Sequence, residues 1–74
     1  MDEPEDVLVI GEVPKNFDES IQVEICHWRG RTYVDIRVHT GAGKATGRGV
    51  TMRPAACEAL LPLLVKALAE VKKE

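Results

Sequence analysis

Two strictly alternating segments, a two-residue Arg-Gly connection between them, and an apolar stretch opened by a proline predict an α+β fold. Four antiparallel strands are followed by one C-terminal helix, in the order β-β-β-β-α. Seventy-four residues suffice for one small domain and leave no room for a second.

MDEPED (1–6) reads as an acidic flexible tail, and the domain occupies residues 7–74. VLVIGE (7–12) is a short apolar run ended by Gly11, a first strand. Pro14, Asn16 and Asp18 make residues 13–20 turn-rich. IQVEICHW (21–28) and RTYVDIRV (31–38) alternate apolar and polar side chains, and Arg29-Gly30 between them is the length of a tight hairpin turn, with glycine supplying positive φ. HTGAGKATGRG (39–49) reads as a glycine-rich loop and GVTM (49–52) as a short strand. Pro54 then opens a helix expected to run to about residue 72.

The hairpin sorts its side chains. With Trp28 opposite Arg31, one face collects Ile21, Val23, Ile25, Val34, Ile36 and Val38, a core face. The other collects Gln22, Glu24, Cys26, Trp28, Arg31, Tyr33, Asp35 and Arg37. The single Trp and the single Tyr therefore lie diagonally on the polar face, among arginines, where the core has no use for them. Such rings offer stacking platforms beside phosphate ligands, although a cross-strand aromatic pair also stabilises a hairpin by itself. Glu24 and Asp35 face each other there, and diagonal Arg37 and Arg31 are expected to neutralise them.

The helix is apolar round most of its circumference. Glu58, Pro62, Lys66 and Glu70, spaced by four, form one narrow polar stripe, while Leu60, Leu61, Leu63, Leu64, Val65, Leu68 and Val71 surround it. One small sheet covers one side of such a helix, so a second copy of the chain is the expected cover for the rest. That predicts a two-fold homodimer with Leu60, Leu61, Leu64 and Leu68 at the interface. The alternative is a protein-interaction module whose helix awaits a different partner.

Charge is segregated along the chain. Residues 1–19 carry seven acids against Lys15, a net of −6, whereas 20–53 carry six Lys/Arg against two acids, a net of +4. The near-neutral total argues against a bulk polyanion binder, but the middle segment is locally basic. The N-terminus lacks the pattern of a signal peptide, and the most apolar stretch is shorter than the roughly 20 residues of a membrane span. A cytoplasmic protein with free thiols at Cys26 and Cys57 is expected, with no membrane partner.

Enzymatic and metal motifs fail on spacing. GAGKAT (41–46) resembles a phosphate-binding loop, but Val38 stands where its first glycine belongs and Ala45 where the Ser or Thr belongs. That loop still offers Lys44 and Arg48 as phosphate contacts. Cys26, His27, His39 and Cys57 lack the paired short spacings of a zinc site. The Glu24/Asp35 pair has no nucleophile beside it. A non-enzymatic protein without metal or cofactor is expected.

WRGRTYVDIR (28–37), then TGRGVTM (46–52) and a Pro-initiated helix, resemble the C-terminal domain of the transcriptional coactivator positive cofactor four and its short bacterial relatives. Order and spacing carry the likeness: an aromatic residue, basic-Gly-basic, Asp-Ile-Arg, then Gly-Arg-Gly. The resemblance implies a curved four-stranded antiparallel sheet, dimerisation through the helices, and single-stranded DNA bound by basic and aromatic residues. Position by position it makes Trp28, Arg29, Arg31, Arg37 and Arg48 the contacts; Tyr33 and Lys44 join them from the face argument. Family members commonly carry a second aromatic one or two residues after Asp-Ile-Arg, where this chain has Val38, His39 and Thr40, so weaker binding is expected. Arg53 also replaces the usual small polar cap before the helix proline, and the long regulatory N-terminal region of the eukaryotic coactivator has no counterpart. The expectation is a stand-alone, nucleoid-associated bacterial binder of single-stranded DNA (or RNA) with little sequence preference, related to the transcription machinery.

Overall fold

The structure, a computed structural model, describes residues 6–73. Strands β1 (Asp6–Pro14), β2 (Glu19–Trp28), β3 (Arg31–Thr40) and β4 (Ala45–Met52) precede helix α1 (Pro54–Val71). The strands form one antiparallel sheet in sequence order, β1-β2-β3-β4. The tail expected over residues 1–6 lies outside the described residues except for Asp6, which opens β1 opposite His27.

The central hairpin has the register that its alternation dictates, from Trp28 opposite Arg31 to Ile21 opposite Val38, and continues to Glu19 opposite Thr40. Its turn is tighter than a glycine alone requires: Arg29 has φ 52° and Gly30 φ 74°. Positive φ at both central positions is the signature of a type I′ turn, whose twist matches that of the flanking strands.

β1 is longer than the apolar run suggests because of a bulge. Pairing passes from Val9–Glu24 to Gly11–Val23, leaving Ile10 as the extra residue. That extra residue lets Leu8 and Val13 share the apolar face with Ile25 and Ile21, while Glu12 joins Gln22 on the polar face.

The expected loop over residues 39–49 is instead mostly strand. β3 runs on to Thr40 and β4 begins at Ala45, so only residues 41–44 turn the chain, with Gly43 at φ 84°. Two hydrogen bonds and one glycine overcome the weak strand preference of this stretch. Thr40 N–H donates to Lys44 O at 2.8 Å, and the Thr46 hydroxyl donates to Val38 O at 2.8 Å across a register shift between Arg37 and His39. Gly49 then allows the strands to close: a Cβ there would stand 2.5 Å from Ile36 O and 2.8 Å from Arg37 Cα.

The core is not where the alternation placed it. Among the described residues, Cys26 and Met52 are the buried apolar ones, joined by buried Asp35 and His39, whereas the Ile/Val face is only half-buried. The expectation that the sheet covers one side of the helix is corrected as well. α1 meets the sheet chiefly along β3, its Cys57 and Leu60 are half-buried, and none of its residues is buried. Leu61, Leu63, Leu64, Val65, Leu68 and Val71 are all more than half exposed or at that limit, from 50 to 67 %. A single chain of this length leaves two apolar surfaces, the helix and the sheet face, open to water.

Candidate nucleic-acid interface

The polar face of the hairpin begins at the turn. Trp28 and Tyr33 meet there with ring centroids 6.4 Å apart and planes tilted by 55°, within the range at which edge-on aromatic pairs attract. Pairing places Tyr33 directly opposite Cys26 and diagonal to Trp28.

Cations flank both rings. The Arg29 guanidinium lies 4.7 Å from the centre of the Trp28 ring, and the Arg53 guanidinium 5.4 Å from that of Tyr33. Both distances fall within cation–π reach. Arg31, opposite Trp28, is exposed and makes no hydrogen bond or ion pair among the described residues. Two half-buried rings and three guanidinium groups thus share one end of the sheet.

Arg53 is the member that sequence reasoning did not place. As a helix cap it is poor, because its side chain makes no capping bond. The guanidinium instead donates to Thr32 O at 3.1 Å and covers Tyr33. The sequence signal was a residue ill-suited to its local position, immediately after a strand that ends opposite Val34.

Arg37 is on the same face but differently engaged. Its Nε and Nη2 donate to the two Asp35 carboxylate oxygens at 3.0 and 2.8 Å, Nη1 donates to Thr46 O at 3.2 Å, and Nη2 also reaches the Thr51 hydroxyl at 3.1 Å. Burial pushes the Asp35 carboxyl up, but hydrogen bonds from Arg37 and Thr51 and the Arg37 charge outweigh it and hold the group below the usual carboxylate range. The same bonds raise Arg37. This guanidinium joins β3 to β4 and has little left to offer a phosphate.

Neutralisation of the facing acids therefore differs from the diagonal scheme. Asp35 is held along its own strand by Arg37, while Glu24 accepts the Gln22 amide and stands 3.6 Å from Nε2 of buried His39. Burial, followed by the charges of Asp35 and Glu24, pushes the Cys26 thiol up.

Two further candidates lie away from the rings. Arg48 is paired with Glu19 and lines a hollow with Ile21, Ile36, Val38 and Val50, on the apolar side of the sheet. Lys44 is exposed on the β3–β4 turn. The structure thus brings together Trp28, Arg29, Arg31 and Tyr33, adds Arg53, and sets Arg37, Lys44 and Arg48 apart from them.

A comparison against known families matches the segment that holds this hairpin. The model of the family Transcriptional Coactivator p15 (PC4) matches residues 15–63, which is 49 of the 74 residues. The chain belongs to this family. The match takes in the whole β2–β3 hairpin, β4 and the first half of α1. Membership supports a single-stranded-DNA-binding, transcription-coactivator-like function in general terms. No curated protein and no solved structure matches the chain. Among the described residues no helix is long and apolar enough to cross a membrane.

Proposed function

We propose that this PC4-family protein is a non-enzymatic homodimer that binds single-stranded DNA with little sequence preference and acts on transcription. The observation that carries the reading is the array at the hairpin turn, where Trp28 and Tyr33 lie 6.4 Å apart beneath Arg29 and Arg53, with Arg31 open beside them. Rings stack on bases of any identity, at roughly 1–3 kcal/mol per base. Arginines neutralise phosphates and make the affinity depend on salt. Neither contact reads a base edge, which is why little sequence preference follows.

The exposed leucine surface of α1 supports the dimer: Leu61, Leu64 and Leu68 are at least half exposed, and a second copy would cover them without any further partner. Its proposed setting is the cytoplasm, in association with the nucleoid.

Trp28 is the single tryptophan and reports on its own face. Its fluorescence is to be followed during titration with a ~20-nucleotide single strand and with a duplex of equal length, each at low and moderate salt. Quenching by the single strand that weakens with salt, with a poor response to duplex, is expected. No response to either ligand would make Trp28 a packing residue and transfer the binding role to the helix and a protein partner.

A further inference from the structure

The polar face has a second end. Six residues along β2 from Trp28, Gln22 marks a hollow of about 450 Å³ between the β1–β2 loop and the β3–β4 turn. At the ~3.4 Å rise of an antiparallel strand, the two places are roughly 20 Å apart. The lining includes Glu12, Phe17, Asp18, Gln22, His39 and Thr40. Phe17, the single phenylalanine, is 100 % exposed, so its ring touches nothing that packing would explain.

We propose that Phe17 is a second base-stacking point, so that a bound single strand runs along β2 from Trp28 to the hollow under the β1–β2 loop. The proposal rests on the reading of the Trp28 face given above and extends it to a full path. A groove that tracks the backbone with rings on which successive bases stack is the general device of single-strand binders. Its far end supplies a ring where the residues after Arg37, namely Val38, His39 and Thr40, supply no Phe, Tyr or Trp.

The walls of the hollow define what enters. Glu12 accepts the Ser20 hydroxyl at 3.1 Å, and Glu19 is tied by Lys15, Asn16 and Arg48, so these acids are held in place. Asp18 is exposed and its carboxylate is an acceptor. An acceptor-rich wall excludes a phosphate but suits the exocyclic amino group of a base such as cytosine. The phosphate stays outside, within the field of exposed Lys44 on the adjoining turn.

The test compares Phe17→Ala, Phe17→Leu and Trp28→Ala in the full chain, with deoxycytidine strands of ~3 and ~12 nucleotides as probes, detected by anisotropy of a labelled strand. Both Phe17 variants are expected to bind the longer strand roughly five-fold or more weakly, the loss of one stacked base, with the short strand unaffected. Wild-type affinity of Phe17→Ala for the longer strand, while Trp28→Ala weakens both lengths, would overturn the second point alone. Full retention by Phe17→Leu would overturn stacking as its chemistry. If Trp28→Ala binds both lengths normally, the reading of the first face fails and this one with it.

Discussion

Arg37 and Asp35, two residues apart on β3, clasp each other through two hydrogen bonds of 3.0 and 2.8 Å on the face that also presents Trp28. Arg31, on the same strand and face, has no such partner among the described residues. Two arginines that look alike in sequence are thus assigned to different work. Arg37→Ala removes four hydrogen bonds and leaves a buried carboxylate with the Thr51 hydroxyl but without its cation, which should cost about 2 kcal/mol or more of stability, read as a lower urea midpoint. Arg31→Ala should leave that midpoint unchanged and instead weaken single-strand binding, with the slope of log K against log salt reduced by about one phosphate contact.

Acid should weaken the fold through Asp35. Its carboxyl sits below the usual range because Arg37 and Thr51 outweigh the effect of burial. The unfolded value is ~3.9, so the stabilisation is complete above that pH and is lost as the pH falls through the lower folded value. Asp35→Asn should be less stable than the parent at neutral pH, and the difference between them should shrink below pH ~4. Urea midpoints at a series of pH values measure both; a difference that stays constant into acid would contradict the assignment.

The turn residue Arg29 holds an unfavourable backbone for the sake of its side chain. A non-glycine residue at φ 52° carries a cost of about 1 kcal/mol, which asparagine tolerates better than arginine. Arg29→Asn should therefore raise thermal stability slightly. It should also weaken single-strand binding, since the guanidinium 4.7 Å from the centre of the Trp28 ring is gone. Opposite signs on the two readouts are the expected result; a loss of both would mean that the cation–π contact outweighs the turn strain.

The hairpin register was legible in the sequence because period-two alternation and a two-residue turn leave one pairing that segregates Ile21, Val23 and Ile25 from Glu24 and Trp28. β4 was not, because ATGRG has little strand preference of its own and is held by Thr46, by the turn, and by the close approach at Gly49. The bulge at Ile10 was likewise hidden, since an extra residue looks like continued hydrophobicity. The shared face of Trp28, Arg31 and Tyr33 was legible from the alternation, but the place of Arg53 over Tyr33 was not, because it depends on how the chain leaves β4 for the helix. Arg48 was carried over from the resemblance, and its pairing with Glu19 was hidden because it lies beside a register shift that alternation does not announce.

The helix offers the clearest separation between the two uses of an apolar surface. Leu64 is 50 % exposed in the single chain and lies in the middle of α1, away from the turn that carries Trp28. Leu64→Glu puts a charge where a second helix would pack, so the variant should sediment as a monomer. Its unfolding temperature should fall and lose its dependence on protein concentration, because stability drawn from association follows mass action. If the parent protein is already monomeric at micromolar concentration, and its unfolding temperature does not change with dilution, the exposed leucines belong to a different partner. In that case Leu64→Glu should leave stability within about 0.5 kcal/mol of the parent, as expected for a surface substitution.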